Sequence, residues 1–225
     1  MSVAVNNEFK RPAPELIARF RGLASSTVGN VLDELGIDGI MLNIKPVKFG
    51  MSFVGPAYTA KEISGVRGTF TGAEFGLGAV IDTAKNGDVI VIDNGGQQVS
   101  TWGGIASLAA KKGGVAGLVV DGGVRDADEI AAFDFPAFSR HVVPLSGKTR
   151  VKVLATGVTV KIDNVKVEPG DIIVADSTGV VCVPLAVAEQ VVARAEQLDA
   201  DDRRAIEEIN KGLDFTTALA KFPKL

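Results

Sequence analysis

The sequence predicts an α/β fold: a layered sandwich with a mixed sheet and C-terminal helices. Three observations predict it. Two apolar runs, residues 89–93 and 115–120, follow glycine-containing turns and precede segments of helical spacing, the pattern of βα units. From residue 151 onward short β runs succeed one another, and Asp163-Asn164 makes a two-residue hairpin turn between 158–162 and 165–167. The chain then closes in amphipathic helical patterns over 185–198 and 200–211. Parallel units followed by hairpins give a mixed sheet covered by helices. No linker divides residues 1–225, so one domain is expected, with 185–225 as its C-terminal helices.

The elements follow in order. Residues 1–12 read as a loose arm, and Pro14 suits the first position of a helix that continues to Arg21. Ser25-Ser26-Thr27 can cap a second helix over 28–35, which stops at Gly36. Residues 37–50 form a connector without clear periodicity. A strand is expected over 53–63, with Pro56 marking an edge or bulge, and then a small-residue helix over 73–84. After the strand at 89–93, residues 94–98 form a loop before a helix that ends in Lys111-Lys112, which suit the negative end of its dipole. The strand at 115–120 runs into Asp121-Gly122-Gly123, read as a tight loop, and a helix over 127–133. A further strand begins near Phe135. Residues 170–176 (Gly-Asp-Ile-Ile-Val-Ala-Asp) echo 87–93 (Gly-Asp-Val-Ile-Val-Ile-Asp), too short an echo to mark a duplicated domain.

Composition removes several functions. A net charge of −3 argues against a protein that grips nucleic acid through phosphates. The only cysteine, Cys182, excludes an internal disulfide and a cysteine-rich zinc site, and its apolar strand makes it a core residue. The only histidine, His141, belongs to no nucleophile motif and reads as a strand-end residue. No Gly-x-Gly-x-x-Gly opens a helix after a strand, and no Walker-type phosphate loop occurs. Tyr58 and Trp102 are too isolated for base stacking. The N-terminus lacks the pattern of a signal peptide and no apolar run matches a membrane span, so a cytoplasmic location is expected.

The chemistry gathers at two places. In parallel sheets ligands sit where strands end and helices begin, and there the chain carries Arg125 beside Asp126. A guanidinium grips a carboxylate in two-pronged fashion, and a carboxylate holds a hard cation. Gly103-Gly104 open the preceding helix, whose first N–H groups form an anion site if they face outward. The same glycines serve equally well for close packing, and both readings stand.

These residues resemble a known family. Residues 102–110, the run 113–121 and then Gly122-Gly123-Val124-Arg125-Asp126 are similar to regulator of ribonuclease activity A and 4-hydroxy-4-methyl-2-oxoglutarate aldolase. Ser26-Thr27, Val54-Gly55-Pro56-Ala57, Gly87-Asp88-Val89, Pro169-Gly170-Asp171, Asp176 and Gly179-Val180 extend the resemblance over most of 20–212. It implies a swivelling-type β/β/α sandwich assembled as a homotrimer or a dimer of trimers. It also implies a lyase acting on a small 2-oxo acid, by aldol cleavage or oxaloacetate decarboxylation. The amides of Gly103, Gly104, Ile105 and Ala106 would cradle the substrate carboxylate, Arg125 would bind substrate and enolate, and Asp126 would hold Mg²⁺ or Mn²⁺. The chain departs from the aldolases at Gly104 and Asn30, where acidic residues are usual, which favours decarboxylation; Glu207 or Glu208 of a neighbouring subunit would be the replacements. The alternative implied by the resemblance is a regulator that binds an RNA-degrading enzyme such as ribonuclease E.

Overall fold

In the computed structural model, which describes residues 3–222, the sheet is built around one long strand, Phe53–Ser64. Its first residues pair antiparallel with Ile172–Asp176, its middle pairs parallel with Val89–Asp93, and its end pairs antiparallel with Val151–Thr156. Gly117–Val124 and Ala137–Val142 continue the parallel side, and Gly179–Val183 continues the antiparallel side. The path ends at Ile40–Met41 on one edge and at Lys45–Pro46 on the other. Those two short strands are neighbours in the chain, so the sheet curls back on itself.

Alternation along the strands then makes two faces. Val89, Val91, Val119 and Phe138 turn inward to meet Ile173, Ala175, Val180 and Cys182. The hairpin of Val160–Ile162 and Val165–Val167 plugs this interior with four buried side chains. Ile90, Ile92, Leu118 and Val120 turn outward and are covered by the helices Leu77–Thr83, Gly104–Lys112 and Ala127–Ala132. On the other flank Ile172, Val174, Val181 and Val183 pack against Pro14–Phe20, Ser25–Glu34 and Ala188–Asn210. The fold is the expected sandwich of two sheet regions with helices outside.

Several expectations need correction. The arm at 1–12 is not loose over its described part: Ala4–Val5 pair with Ala155 and Thr156, and Arg11 makes two 2.8 Å bonds to the buried Asp88 carboxylate. Met1 and Ser2 lie outside the described residues. The two C-terminal helices over 185–211 are one, Ala188–Asn210, carried past residue 199 by an Asp199–Arg203 pair one turn apart and by buried Ala205; Phe215–Lys221 follows. Residues 223–225 are also outside the description. The helix expected at 73–84 is split at Gly76, whose φ of 74° an L side chain rarely adopts, leaving a short turn and Leu77–Thr83. The second helix begins at Ser25, and the cap comes from Asp176, which accepts both the N–H and the hydroxyl of Ser25 at 2.7 Å. The connector at 37–50 carries the two short edge strands.

The echo at 87–93 and 170–176 also gains a physical reading. Each copy begins with a buried aspartate that accepts the N–H three residues back, Asp88 from Lys85 and Asp171 from Glu168, both at 2.8 Å. The shared motif is a turn that feeds a strand. Both strands dock on Phe53–Ser64, one parallel and one antiparallel.

Candidate active site

The central strand continues through Asp121-Gly122-Gly123 to Val124, with a register shift against Ala137–Val142 between Val120 and Gly123, so the tight loop expected there is absent. Gly123 is extended because it passes close to another segment. Its N–H donates to the Val99 carbonyl at 3.1 Å, and an added Cβ would lie 2.8 Å from that oxygen. The strand therefore delivers Arg125 and Asp126 directly to its C-terminal end.

Asp126 precedes the helix Ala127–Ala132 and has φ 56° and ψ 42°, left-handed values that cost a non-glycine residue about 1 kcal/mol. Its carboxylate does not cap its own helix. It turns instead to the start of the neighbouring helix, where Oδ2 accepts the Gly104 N–H at 3.3 Å. Arg125 Nε lies 3.4 Å from the same oxygen, and the two side chains are 47% and 34% exposed, open to a ligand.

Gly103 makes room for both. A Cβ there would lie 2.5 Å from Asp126 Oδ2 and 3.2 Å from Arg125 Nε, although its φ of −159° suits any residue. Close packing is thus required at Gly103, and the helix start still faces the Arg-Asp pair. The first intrahelical bond runs from the Ser107 N–H to the Gly103 carbonyl, so the N–H groups of Gly104, Ile105 and Ala106 precede the helical ladder. Trp102 Nε1 donates to Ser107 Oγ at 2.8 Å and locks this first turn.

A cleft of about 420 Å³ opens on these groups. Gly103, Ile105, Ala106, Arg125 and Asp126 line it, joined by Thr101, Ser146, Gly147 and Lys148 at one side and by Phe75, Leu77 and Ile81 at another. Gly104 is not in the lining. An added Cβ at Gly104 would run into the Glu129 carboxylate and lie 2.9 Å from Glu129 Cβ. The space beside the helix start is therefore filled by a carboxylate from the next helix. Ile105 lines the cleft and is 84% exposed, so it lies at the cleft's open rim.

The remaining candidates fall elsewhere. Glu208 is held within its own chain by Lys221 at 2.7 Å and Lys211 at 3.4 Å, while Glu207 and Asn30 are exposed and do not line the cleft. His141 contacts the Gly96 carbonyl through Nε2 at 3.1 Å, and burial raises the Cys182 thiol well above its usual range. No group of three or more His, Cys, Asp or Glu side chains among the described residues could hold a metal ion. The single carboxylate of Asp126 fits a hydrated hard cation that takes its other ligands from water and from substrate oxygens.

One residue was missed. Glu62 lies in the strand Phe53–Ser64, 2% exposed, and Thr101 donates its hydroxyl to Glu62 Oε1 at 2.5 Å. Burial, with the nearby Asp93 charge, pushes the Glu62 carboxyl up to about 8. The signal was its alternation with Tyr58 and Ala60, which puts a carboxyl on a core face.

No described helix is long and apolar enough to cross a membrane. Comparison with known proteins places these elements in a wider set. A protein named DlpA of Legionella pneumophila subsp. pneumophila is 34% identical over 193 residues, covering 85% of this chain; the chain spans only 31% of that relative's length. A Halalkalibacterium halodurans protein, provisionally named 4-hydroxy-4-methyl-2-oxoglutarate aldolase, is 34% identical over 84% of this chain and 85% of its own. Among solved structures, an uncharacterized Pseudomonas syringae pv. tomato protein superposes with a TM-score of 0.84 at 32% identity, covering 93% of this chain and 99% of that one. Streptomyces coelicolor RraAS2, described as an unusual member of the RNase ES inhibitor RraA protein family, gives 0.74 at 27% identity, covering 91% and 100%. The family model for RraA-like proteins, Aldolase/RraA, matches residues 28–182, which include the long strand, the glycine helix start and the Arg-Asp pair, and this chain belongs to that family.

Proposed function

We propose that the chain is a divalent-metal-dependent lyase that cleaves a small 2-oxo acid to pyruvate, by oxaloacetate decarboxylation or by aldol cleavage. The observation that carries the reading is the convergence of Arg125, Asp126 and the first turn of Gly104–Lys112 on one cleft. Two independent positive features, a guanidinium and a helix N-terminus, suit the carboxylate and keto oxygens of such a substrate. The relatives named as aldolases support the lyase class.

The amides of Ile105 and Ala106 orient the substrate carboxylate at the helix start, since the Gly104 N–H is taken by Asp126, and Arg125 stabilises the negative charge that grows on the keto oxygen as the carbon–carbon bond breaks. Asp126, fixed by the Gly104 N–H, would hold Mg²⁺ or Mn²⁺, which supplies Lewis acidity toward the same oxygens. Phe75, Leu77 and Ile81 form an apolar flank against which the carbon chain of the substrate would lie. Decarboxylation needs no base for a hydroxyl proton, so it is the favoured reaction. A homotrimer or a dimer of trimers is the proposed assembly. A second reading, a regulator that binds an RNA-degrading enzyme, draws on the likeness to RraAS2.

The test is pyruvate release from oxaloacetate and from 4-hydroxy-4-methyl-2-oxoglutarate, with Mg²⁺ and after chelation. Turnover that stops on chelation and is faster on oxaloacetate is expected. Arg125→Ala should lower kcat on the order of 10²–10³ with metal affinity kept, Arg125→Lys should recover little, and Asp126→Ala should lose the metal response. Full metal-dependent activity in Asp126→Ala, or parental rates in Arg125→Ala, would overturn the assignment. Tight binding to ribonuclease E without turnover would favour the regulator.

A further inference from the structure

Two buried polar side chains, Glu62 and Asn94, take no part in substrate anchoring. Glu62 Oε2 and Asn94 Nδ2 are the buried side-chain atoms left without a hydrogen-bond partner among the described residues. One is a carboxyl oxygen and the other an amide donor. Ser64, two residues beyond Glu62 on the same strand face, donates its hydroxyl to Asn94 Oδ1 at 2.5 Å. A buried carboxyl with one orphaned oxygen is costly, and a fold keeps such a group where it has work to do. Its one hydrogen-bond partner, Thr101, lines the same cleft as Arg125 and Asp126.

We infer that Glu62 is the proton reservoir of the cleft, a positioning residue that delivers its proton to bound substrate through the Thr101 hydroxyl. The inference rests on the 2-oxo-acid reading and supplies the step that anchoring leaves open. When the bond to the departing carboxylate breaks, CO₂ leaves and the electron pair stays on the pyruvyl fragment as an enolate. The enolate carbon must then gain one proton. With Glu62 protonated at Oε1 the 2.5 Å contact runs the other way, the carboxyl donating to Thr101 Oγ1, so the Thr101 proton is free for the enolate carbon: that carbon takes it, forming a C–H bond, while Thr101 takes the carboxyl proton of Glu62. Glu62 is left as a carboxylate until a solvent proton restores it. No oxidant or other reactant is needed. The charge that acts on Glu62 is that of Asp93, which is paired with Lys61 at 2.7 Å; it adds to burial in keeping the Glu62 proton in place near neutral pH.

The experiment compares the parent with Glu62→Gln and Thr101→Val. Glu62→Gln keeps the shape and removes the titration; Thr101→Val keeps Glu62 and removes the hydroxyl. Oxaloacetate kinetics are followed from about pH 6 to 9.5, a window that brackets a group titrating at about 8. The parent kcat should fall as the pH rises through about 8. Both variants should lose kcat on the order of 10²-fold with KM within about twofold, and both should lose that alkaline limb. Infrared spectra provide a readout apart from turnover: a protonated carboxyl band present at neutral pH in the parent and in Thr101→Val, and missing from Glu62→Gln. Parental kcat and an unchanged alkaline limb in both variants would overturn the relay while leaving the lyase reading intact. Absence of the carboxyl band would also overturn it. A parent that turns over no 2-oxo acid overturns the lyase reading, and the relay with it.

Discussion

Single residues in this cleft work against local stability, and Glu62 shows how to measure the conflict. Its folded pKa of about 8 stands above the ordinary 4.5 of the unfolded chain. Below about 4.5 both states hold the proton and burial of the neutral acid carries no ionisation penalty. As pH rises from there to about 8 the unfolded chain has released the proton and the folded chain retains it, so stability falls across that window. The loss is on the order of a few kcal/mol, since each pKa unit is worth about 1.4. Glu62→Gln cannot ionise, so urea titrations at pH 5 and pH 8 should show a flatter dependence than the parent and a net gain at pH 8. Parallel slopes would mean that Glu62 is already ionised in the folded state. Gly104 offers a second residue-scale test. Gly104→Ala should cost about 1–3 kcal/mol by overpacking against Glu129. Glu129→Ala in the same chain should recover only part of that loss, because the 2.9 Å approach of Glu129 Cβ persists.

Among the elements, the segment before the first helix has the most to teach. Arg11 clamps Asp88 at the turn that launches the strand Val89–Asp93, and Asp88 is essentially buried. Arg11→Ala leaves that carboxylate with the Lys85 N–H and no counter-charge, so a loss of about 3 kcal/mol is expected in urea unfolding. A change under 0.5 kcal/mol would show that the arm is dispensable. The arm was illegible in the sequence because its pairing partners are residues 155–156, and strand propensity says nothing of a partner so distant. Elements with their own period were legible: Val89–Asp93, the 160–167 hairpin and Gly104–Lys112 all stand where expected. Glycines misled at Gly122-Gly123, where they permit a close strand crossing and make no turn. The site divides the same way. Arg125, Asp126 and the helix start were readable because each lies next to a strong local signal. Lys148 reaches the cleft, and Glu62 reaches Thr101 in its lining, only through tertiary packing.

For the whole molecule, the cleft opens beside an apolar side chain that no described residue covers. Ile105 is 84% exposed at its rim. Burying such a side chain is worth roughly 1.5–3 kcal/mol, which a neighbouring copy could supply. Light scattering should therefore return about three or six times the 23.4 kDa chain mass, and Ile105→Asp should lower it. A monomeric parent at micromolar concentration would remove the proposed assembly. The curled sheet has a further consequence, for the order in which the molecule can form during synthesis. Phe53–Ser64 is made early, yet two of its three partners, Val151–Thr156 and Ile172–Asp176, emerge only after some hundred further residues. Until then its ends are open edges, and the Ala4–Val5 strand has nothing to join. A nascent chain stopped near residue 150 can assemble the parallel layer that carries Arg125 and Asp126, but it cannot close the sheet around it. Closure of the sheet must wait for residues 151–176, so this long-range pairing sets a slow step in folding.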